Sequence, residues 1–370
     1  MKILAITPQF LPVRGGIEVF SAALVRALQG HGIETAIVTD LDPGSLLPQH
    51  EILDGISVHR LPFMKTMMSQ DTPHMLRLLR QFLEIVAAIK PDLIHMHSAV
   101  QLSAWFVDRL IGKLSPCPAL LVTQHGVLEA IDRQSVVRSL LLRADMLTAV
   151  SEAALQSSLE FSGRQSGTVI YNGVRPLRTA PRPPRAESPF SLLCVGRIQA
   201  EKGFDLAVRA LADVRTRGID ATLTIVGQGH EKQQLIELAA ALGVADHVTF
   251  PGVLSQQDTW HAMACSDLLL VPSRTREGFG LVVVEAALSG LPCIAARLGG
   301  LPETVEDGVT GLLVPPDDHR ALADAIVELS GQPARLKTLG NQARRRSLDK
   351  FDMDRCAAQY VQIYRQLTRG

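Results

Sequence analysis

Short, largely apolar runs, most of them ending in a glycine-bearing loop, are what most restrict the fold of this chain. Lys2-Ile-Leu-Ala-Ile-Thr7 is the first. A strand with one face in water alternates apolar and polar residues, whereas a run apolar on both faces fits a parallel sheet covered by helices on both sides. Arg14-Gly-Gly-Ile-Glu18 follows, then Phe20, Leu24, Ala27 and Leu28 at helical spacing, then Gly30-His-Gly32 and a second strand, Thr35-Ala-Ile-Val-Thr39. That is a βαβ opening. Further runs lie at 91–97, 119–124, 145–150 and 168–171. The pattern restarts at Phe190-Ser-Leu-Leu-Cys-Val195 and continues at 221–226, 247–250, 268–271 and 292–295. Two such series imply an α/β protein with two doubly wound, Rossmann-like sheets facing across a cleft.

The expected domain boundaries follow from composition. Residues 1–175 form the first domain, joined by a closing helix at 352–370. Residues 190–351 form the second. Between them, residues 176–189 carry prolines and hardly an apolar side chain, so they read as a semi-rigid linker. Residues 62–75, with Met64, Met67, Met68 and Met75, read as a loop that either packs on its own domain or lines an acceptor pocket. An amphipathic helix is expected from Leu76 to Ile89.

Lysine plus arginine equals aspartate plus glutamate at 37 each, and neither half is a basic module, which argues against a nucleic-acid partner. The five cysteines show no paired spacing and read as free thiols of a reducing compartment. No apolar run approaches the roughly 18 residues of a membrane span, and the first residues do not read as a signal peptide. The expectation is a cytoplasmic protein, with room for peripheral contact at the inner face of the membrane.

The chemistry concentrates in Glu277-Gly-Phe-Gly-Leu-Val-Val-Val-Glu285, a loop and helix start behind the apolar run at 268–271. Free amides at a helix start suit a phosphate. Two carboxylates beside that phosphate are matched instead to hydroxyl groups, which donate to them. Phosphate plus hydroxyls describes a sugar nucleotide. Arg197 and Lys202, on the loop after Val195, supply the cations a diphosphate needs. His95-Met-His97 and His125-Gly126 both close apolar strands, at the edge where open α/β sheets bind ligands. The first pair lacks a third zinc ligand of suitable spacing. Asp40-Leu-Asp42 and Asp352-Met-Asp354 spell a metal-binding carboxylate pair but read as incidental, so no metal and no cofactor are expected. Gly15-Gly16 lacks the three spaced glycines of a dinucleotide fingerprint, which leaves a dehydrogenase unsupported.

Taken in order, Gly15-Gly16, His125-Gly126, Asn172-Gly173, Gly196-Arg197, Glu201-Lys202-Gly203, Val226-Gly-Gln-Gly229, the Glu277–Glu285 spacing and Gly299-Gly300 resemble the retaining glycosyltransferases of the GT-B fold, family 4 or "group 1" type. The resemblance covers essentially the whole length. It implies that the last helix crosses back to the first domain. It implies Glu285 on the ribose hydroxyls and Glu277 on the donor sugar. Backbone amides of Phe279, Gly280 and Leu281 would lie near the phosphate and sugar, with Arg197 and Lys202 on the diphosphate. Gly15 and Gly16 would serve the donor from the first domain. His125 would reach the donor sugar beside the reacting carbon, and His97 is a weaker candidate for the acceptor side. The implied reaction moves a sugar from a nucleotide-diphosphate sugar to an acceptor hydroxyl by a front-face route, without a metal, with a glycan or lipid-linked glycan precursor as acceptor. UDP, GDP and ADP donors are all open. The alternative is an inactive binding or regulatory subunit on the same scaffold.

Overall fold

The computed structural model describes residues 1–13, 15–41, 44–69, 71–98, 101–128, 136–177, 189–275 and 277–368, and of 101 and 102 the backbone only. Residues 178–188, most of the expected linker, and Asp42 of the first Asp-x-Asp pair lie outside them. The chain divides into two compact units, residues 1–173 with 353–370, and residues 174–352.

The first unit is built on eight strands: β1 (Lys2–Thr7), β2 (Glu34–Asp40), β3 (His50–Leu53), β4 (Ile56–Leu61), β5 (Leu93–His97), β6 (Ala119–Gln124), β7 (Met146–Ala149) and β8 (Thr168–Val169). Their order is β3-β4-β2-β1-β5-β6-β7-β8, so the sequence of strands reverses direction between β1 and β5. Every neighbouring pair is parallel except β3 and β4. That exception was not foreseen. Asp54 and Gly55 both take positive φ, 49° and 79°, the two-residue turn that Asp-Gly favours in a hairpin.

Residues 62–75 also differ from the loop expected there. Phe63–Ser69 is a short helix that buries Phe63 and Thr66. A second helix starts at Thr72, where the Asp71 side chain accepts from the His74 amide and proline occupies the first turn. Three methionines in that short helix hide its period, since apolar residues there fall on exposed and buried faces alike. The opening helix, Gly16–Gly30, buries Phe20, Leu24, Ala27 and Leu28, the stripe read from spacing.

The second unit has β9 (Phe190–Val195), β10 (Ala221–Val226), β11 (Val248–Gly252), β12 (Leu268–Val271), β13 (Cys293–Ala296) and β14 (Gly311–Val314), all parallel. The order β11-β10-β9-β12-β13-β14 reverses between β9 and β12. The uniform apolarity of these strands has a direct cause. Leu192, Leu268 and Leu270 enter one core, while Leu193, Leu269 and Val271 enter the core on the opposite face. Successive side chains point to opposite faces, and both faces are covered.

The last helix, Met353–Thr368, belongs to the first unit and buries Tyr360 and Tyr364. The Tyr364 hydroxyl lies 2.7 Å from His95 Nδ1, and His95 Nε2 lies 2.7 Å from Thr123 Oγ1. Thr123 Oγ1 is 2.6 Å from Thr148 Oγ1, which donates onward to the Val122 carbonyl. One consistent direction follows: Tyr364 donates to His95, His95 to Thr123 and Thr123 to Thr148. His95 is thus a structural histidine that ties the returning helix to the sheet. Among the described residues no helix is long and apolar enough to cross a membrane. All five cysteines are free, Cys194, Cys293 and Cys356 buried, Cys117 and Cys265 exposed.

Candidate active site

In the second unit the reversal of strand order leaves a crevice beyond the carboxyl ends of β9 and β12, the place where doubly wound sheets take ligands. The loop after β9 carries Arg197 and Lys202, and the loop after β12 carries Glu277. The structure brings two of these three together. Lys202 Nζ donates to Glu277 Oε2 at 2.8 Å, and Ser273 Oγ donates to the same oxygen at 3.0 Å. The two side chains are only 27% and 12% exposed, so the pair is partly screened from water and its geometry is held. Arg197 stands apart, 68% exposed and 3.8 Å from Glu201.

Ser273 and Arg274 were missed from the sequence, and so was Asp205. Arg274 makes a two-pronged pair with Asp205, at 2.6 and 2.8 Å, and a third bond to Asp317 at 2.7 Å. Its backbone amide donates to the Glu201 carbonyl at 2.8 Å. Burial pushes the Asp205 carboxyl up, but the Arg274 bonds outweigh it and the net shift is down. This clamp locks the β12 loop to the β9 loop, and so sets Lys202 beside Glu277.

The glycines that mark these loops in sequence act mainly as spacers between backbones. A Cβ at Gly227 or Gly229 would lie 1.9 Å from the carbonyl oxygens of Gly196 and Ile198. At Gly299 and Gly300 it would lie 2.1 and 2.2 Å from those of Glu277 and Gly278. Gly203 combines a φ of +64° with a Cβ position 2.1 Å from the Pro272 carbonyl oxygen. Gly203→Ala is therefore expected to cost on the order of 3 kcal/mol or more of stability. Denaturant unfolding that matched the parent would refute this packing account.

Gly280, in the left-handed region at φ 84°, caps the helix Leu281–Leu288 with no side-chain hydrogen bond, so the helix start keeps its positive end open. Phe279 is buried and packs edge-on against Phe351 at 5.3 Å. Glu285 sits one turn into that helix, between the buried Val284 and Ala286. Its carboxylate has no hydrogen bond or ion pair among the described residues, and burial pushes its pKa up to about 7. An unpaired carboxylate in apolar surroundings is costly, which suits a group whose partner is a ligand hydroxyl.

In the first unit Gly15 caps the opening helix without a side-chain bond. A Cβ on it would lie 2.3 Å from Glu18 Oε2, so the Glu18 carboxylate folds back over the helix start. His97 and His125 meet at the carboxyl edge of β5 and β6: His97 Nδ1 lies 3.0 Å from His125 Nε2. His97 is 1% exposed and His125 9%, and burial drives both below the ordinary histidine range, His97 to about 3. Gln124 Nε2 and Asn172 Oδ1 are buried at the same unit's strand ends without a hydrogen-bond partner among the described residues. Of the carboxylate pairs, Asp354 lies in the first turn of the last helix, and among the described residues no group of three His, Cys, Asp or Glu could hold a metal ion.

Two family models match the chain, one described as Glycosyltransferase Family 4 over residues 14–178 and one as Glycosyl transferases group 1 over residues 179–346. A GDP-mannose-dependent alpha-(1-6)-phosphatidylinositol monomannoside mannosyltransferase of Mycobacterium tuberculosis is 30% identical, over 98% of this chain and 98% of that one. Among solved structures, sucrose-phosphate synthase from Thermosynechococcus elongatus matches with a TM-score of 0.80 at 26% identity, over 99% of both chains. The Anabaena protein HepE, in complex with UDP and glucose, matches with a TM-score of 0.82 at 24% identity, over 99% of this chain and 100% of that one.

Proposed function

This chain belongs to the group 1 glycosyltransferases of the GT-B fold, which use nucleotide sugars, and from that premise we propose a retaining, metal-independent transfer to the hydroxyl of a glycan or lipid-linked glycan precursor. The observation that carries the reading is the Lys202–Glu277–Ser273 cluster at the strand-order reversal of the second unit. Lys202 keeps two further N–H donors for a diphosphate while it holds Glu277. Glu277 Oε2 already accepts two hydrogen bonds, which blunts it as a nucleophile and leaves Oε1 to take a hydroxyl of the donor sugar. Glu285 takes the ribose hydroxyls, and the open start of its helix, with the amides of Phe279, Gly280 and Leu281, takes phosphate oxygens. His125 contacts the donor sugar, and Gly15–Gly16 serves the donor.

In the front-face step the bond from the anomeric carbon to the diphosphate oxygen breaks, and the acceptor oxygen bonds to that carbon on the same face. The departing phosphate oxygen takes the acceptor proton. Charge grows on the diphosphate as it leaves, where Lys202 and Arg197 oppose it without a divalent ion. Excess EDTA is therefore expected to leave turnover within about twofold, since removing a whole charge from such a site costs orders of magnitude. Loss of activity restored by Mg²⁺ or Mn²⁺ would overturn the metal-free reading. Retention is checked by following donor hydrolysis by NMR: an α-linked donor releases the α-anomer first, and first release of the β-anomer excludes retention.

The mannosyltransferase relative is named for GDP-mannose and HepE was solved with UDP, so GDP- and UDP-sugars are the donors to test first. A ligand that binds only the folded chain stabilises it by about 2.7 kcal/mol at a hundredfold excess over its Kd. One of UDP-glucose, UDP-N-acetylglucosamine, GDP-mannose and ADP-glucose is expected to raise the melting temperature by several degrees and to be hydrolysed slowly without acceptor. Tight binding with no turnover of any donor would support the inactive, regulatory alternative.

A further inference from the structure

Three histidine rings form a column at the edge of the first unit. His95 and His97 lie on one face of β5 with ring centroids 4.0 Å apart, and His97 and His125 follow at 5.3 Å. Phe20, from the opening helix, packs against the last two at 6.3 and 5.3 Å. His95, at the inner end, is fixed by Tyr364 and Thr123. His97, in the middle, is almost wholly buried, and among the described residues its one hydrogen-bond contact is Nδ1 to His125 Nε2. His125, at the outer end, is the most exposed of the three.

We propose that His97 is a positioning residue that fixes the ring and tautomer of His125, leaving His125 Nδ1 as the nitrogen presented to the donor. Burial keeps all three imidazoles neutral, so the 3.0 Å contact holds one proton between two nitrogens. Whichever ring carries it, the protonation of His125 Nδ1 is set by its neighbour. His125 Nδ1 has no protein partner among the described residues, and a flip of the ring would lose the bond to His97. His97 itself is too buried to meet an acceptor, so its influence on the reaction passes through His125. The Tyr364–His95 bond then makes the returning helix the floor of the column.

The proposal rests on the donor contact assigned to His125, and two measurements separate the two claims. The first uses the full chain without ligand, labelled with ¹⁵N-histidine. The wild type is expected to show a single neutral tautomer at His125. His97→Leu should give a mixture of tautomers, while His97→Asn, whose amide occupies the place of Nδ1, should keep one. A single tautomer retained in His97→Leu overturns the proposal.

The second is a double-mutant cycle on hydrolysis of whichever of UDP-glucose and GDP-mannose the protein turns over faster. His97→Leu is expected to lower kcat about 10- to 100-fold with little change in donor KM, the scale of a misplaced group. His97→Asn should recover most of that loss, with melting temperatures confirming that both variants fold. In the His125→Ala background the loss from His97→Leu should vanish. Losses that multiply overturn the proposal, because His97 then acts by a separate route. If His125→Ala alone leaves turnover unchanged, the donor contact is what fails, and the tautomer measurement still decides whether His97 governs His125.

Discussion

Replacing Glu285 by Gln is expected to stabilise the unliganded protein at pH 8 while weakening nucleotide binding about 100-fold. Both effects come from one partly buried carboxyl, unpaired among the described residues, whose pKa stands at about 7 against 4.5 in model compounds. The folded chain holds that proton where the unfolded chain has released it, so stability falls as pH rises from 4.5 to 7. Above pH 7 the whole penalty is present, on the order of 3 kcal/mol. Gln removes it. The variant should therefore melt higher than the parent at pH 8 and show no such gain near pH 4.5.

The loss of binding follows from the same group. A ribose hydroxyl donating to an ionised carboxylate is worth about 1.5–3 kcal/mol, and an amide oxygen replaces it only in part. The bound nucleotide needs Glu285 ionised, so binding releases a proton when the pH lies below 7. Parent affinity for UDP or GDP should fall about tenfold per pH unit on going down from 7, level off above 8, and lose this slope in Glu285→Gln. Calorimetry at pH 6, 7 and 8 in two buffers of different ionisation enthalpy reads both the slope and the proton. Equal affinity of parent and variant at pH 8 would sink the ribose assignment. Such a pairing, less stable but able to bind, is the stability–function conflict expected at a site that keeps a charge for its ligand.

What was legible in the sequence was whatever acts through neighbours in the chain. The apolar runs of both sheets, the Phe20–Leu28 stripe and the positive end of the helix after Gly280 are local, and residue type at fixed spacing reports them. The glycines were legible as markers but not in meaning. Gly299 and Gly300 stood out only as one more glycine pair of the motif series, and what they do is let the β13 loop lie against the backbone of Glu277 and Gly278. Asp54-Gly55 was a local signal overlooked, because the surrounding strands are short and one is half exposed. The pairs that cross the fold were not legible. Arg274 and Asp205 stand 69 residues apart, and Tyr364 and His95 269 apart. No periodicity links such positions. An arginine after a strand and a histidine inside one look the same whether they bind a ligand or hold a loop.

Lys202 carries the second large effect, because it holds charge and geometry at once. Lys202→Ala is expected to lower kcat/KM for the donor about 10²–10³-fold, the range for losing one preorganised charge at a leaving group. Part of that loss belongs to Glu277, which among the described residues would keep only Ser273 as a partner and become free to turn. Lys202→Arg restores the charge, but a planar fork does not reproduce a point ammonium 2.8 Å from Oε2, so recovery should be partial. Glu277→Gln should cost about 10- to 100-fold, the worth of one charged hydrogen bond to the sugar. In the double variant the losses should fall short of their product, because each single change already spoils the same arrangement. Donor hydrolysis across the four proteins measures this directly. Losses that multiply in full would mean that the lysine and the glutamate act on the donor independently, and that their contact in the free protein has no part in catalysis.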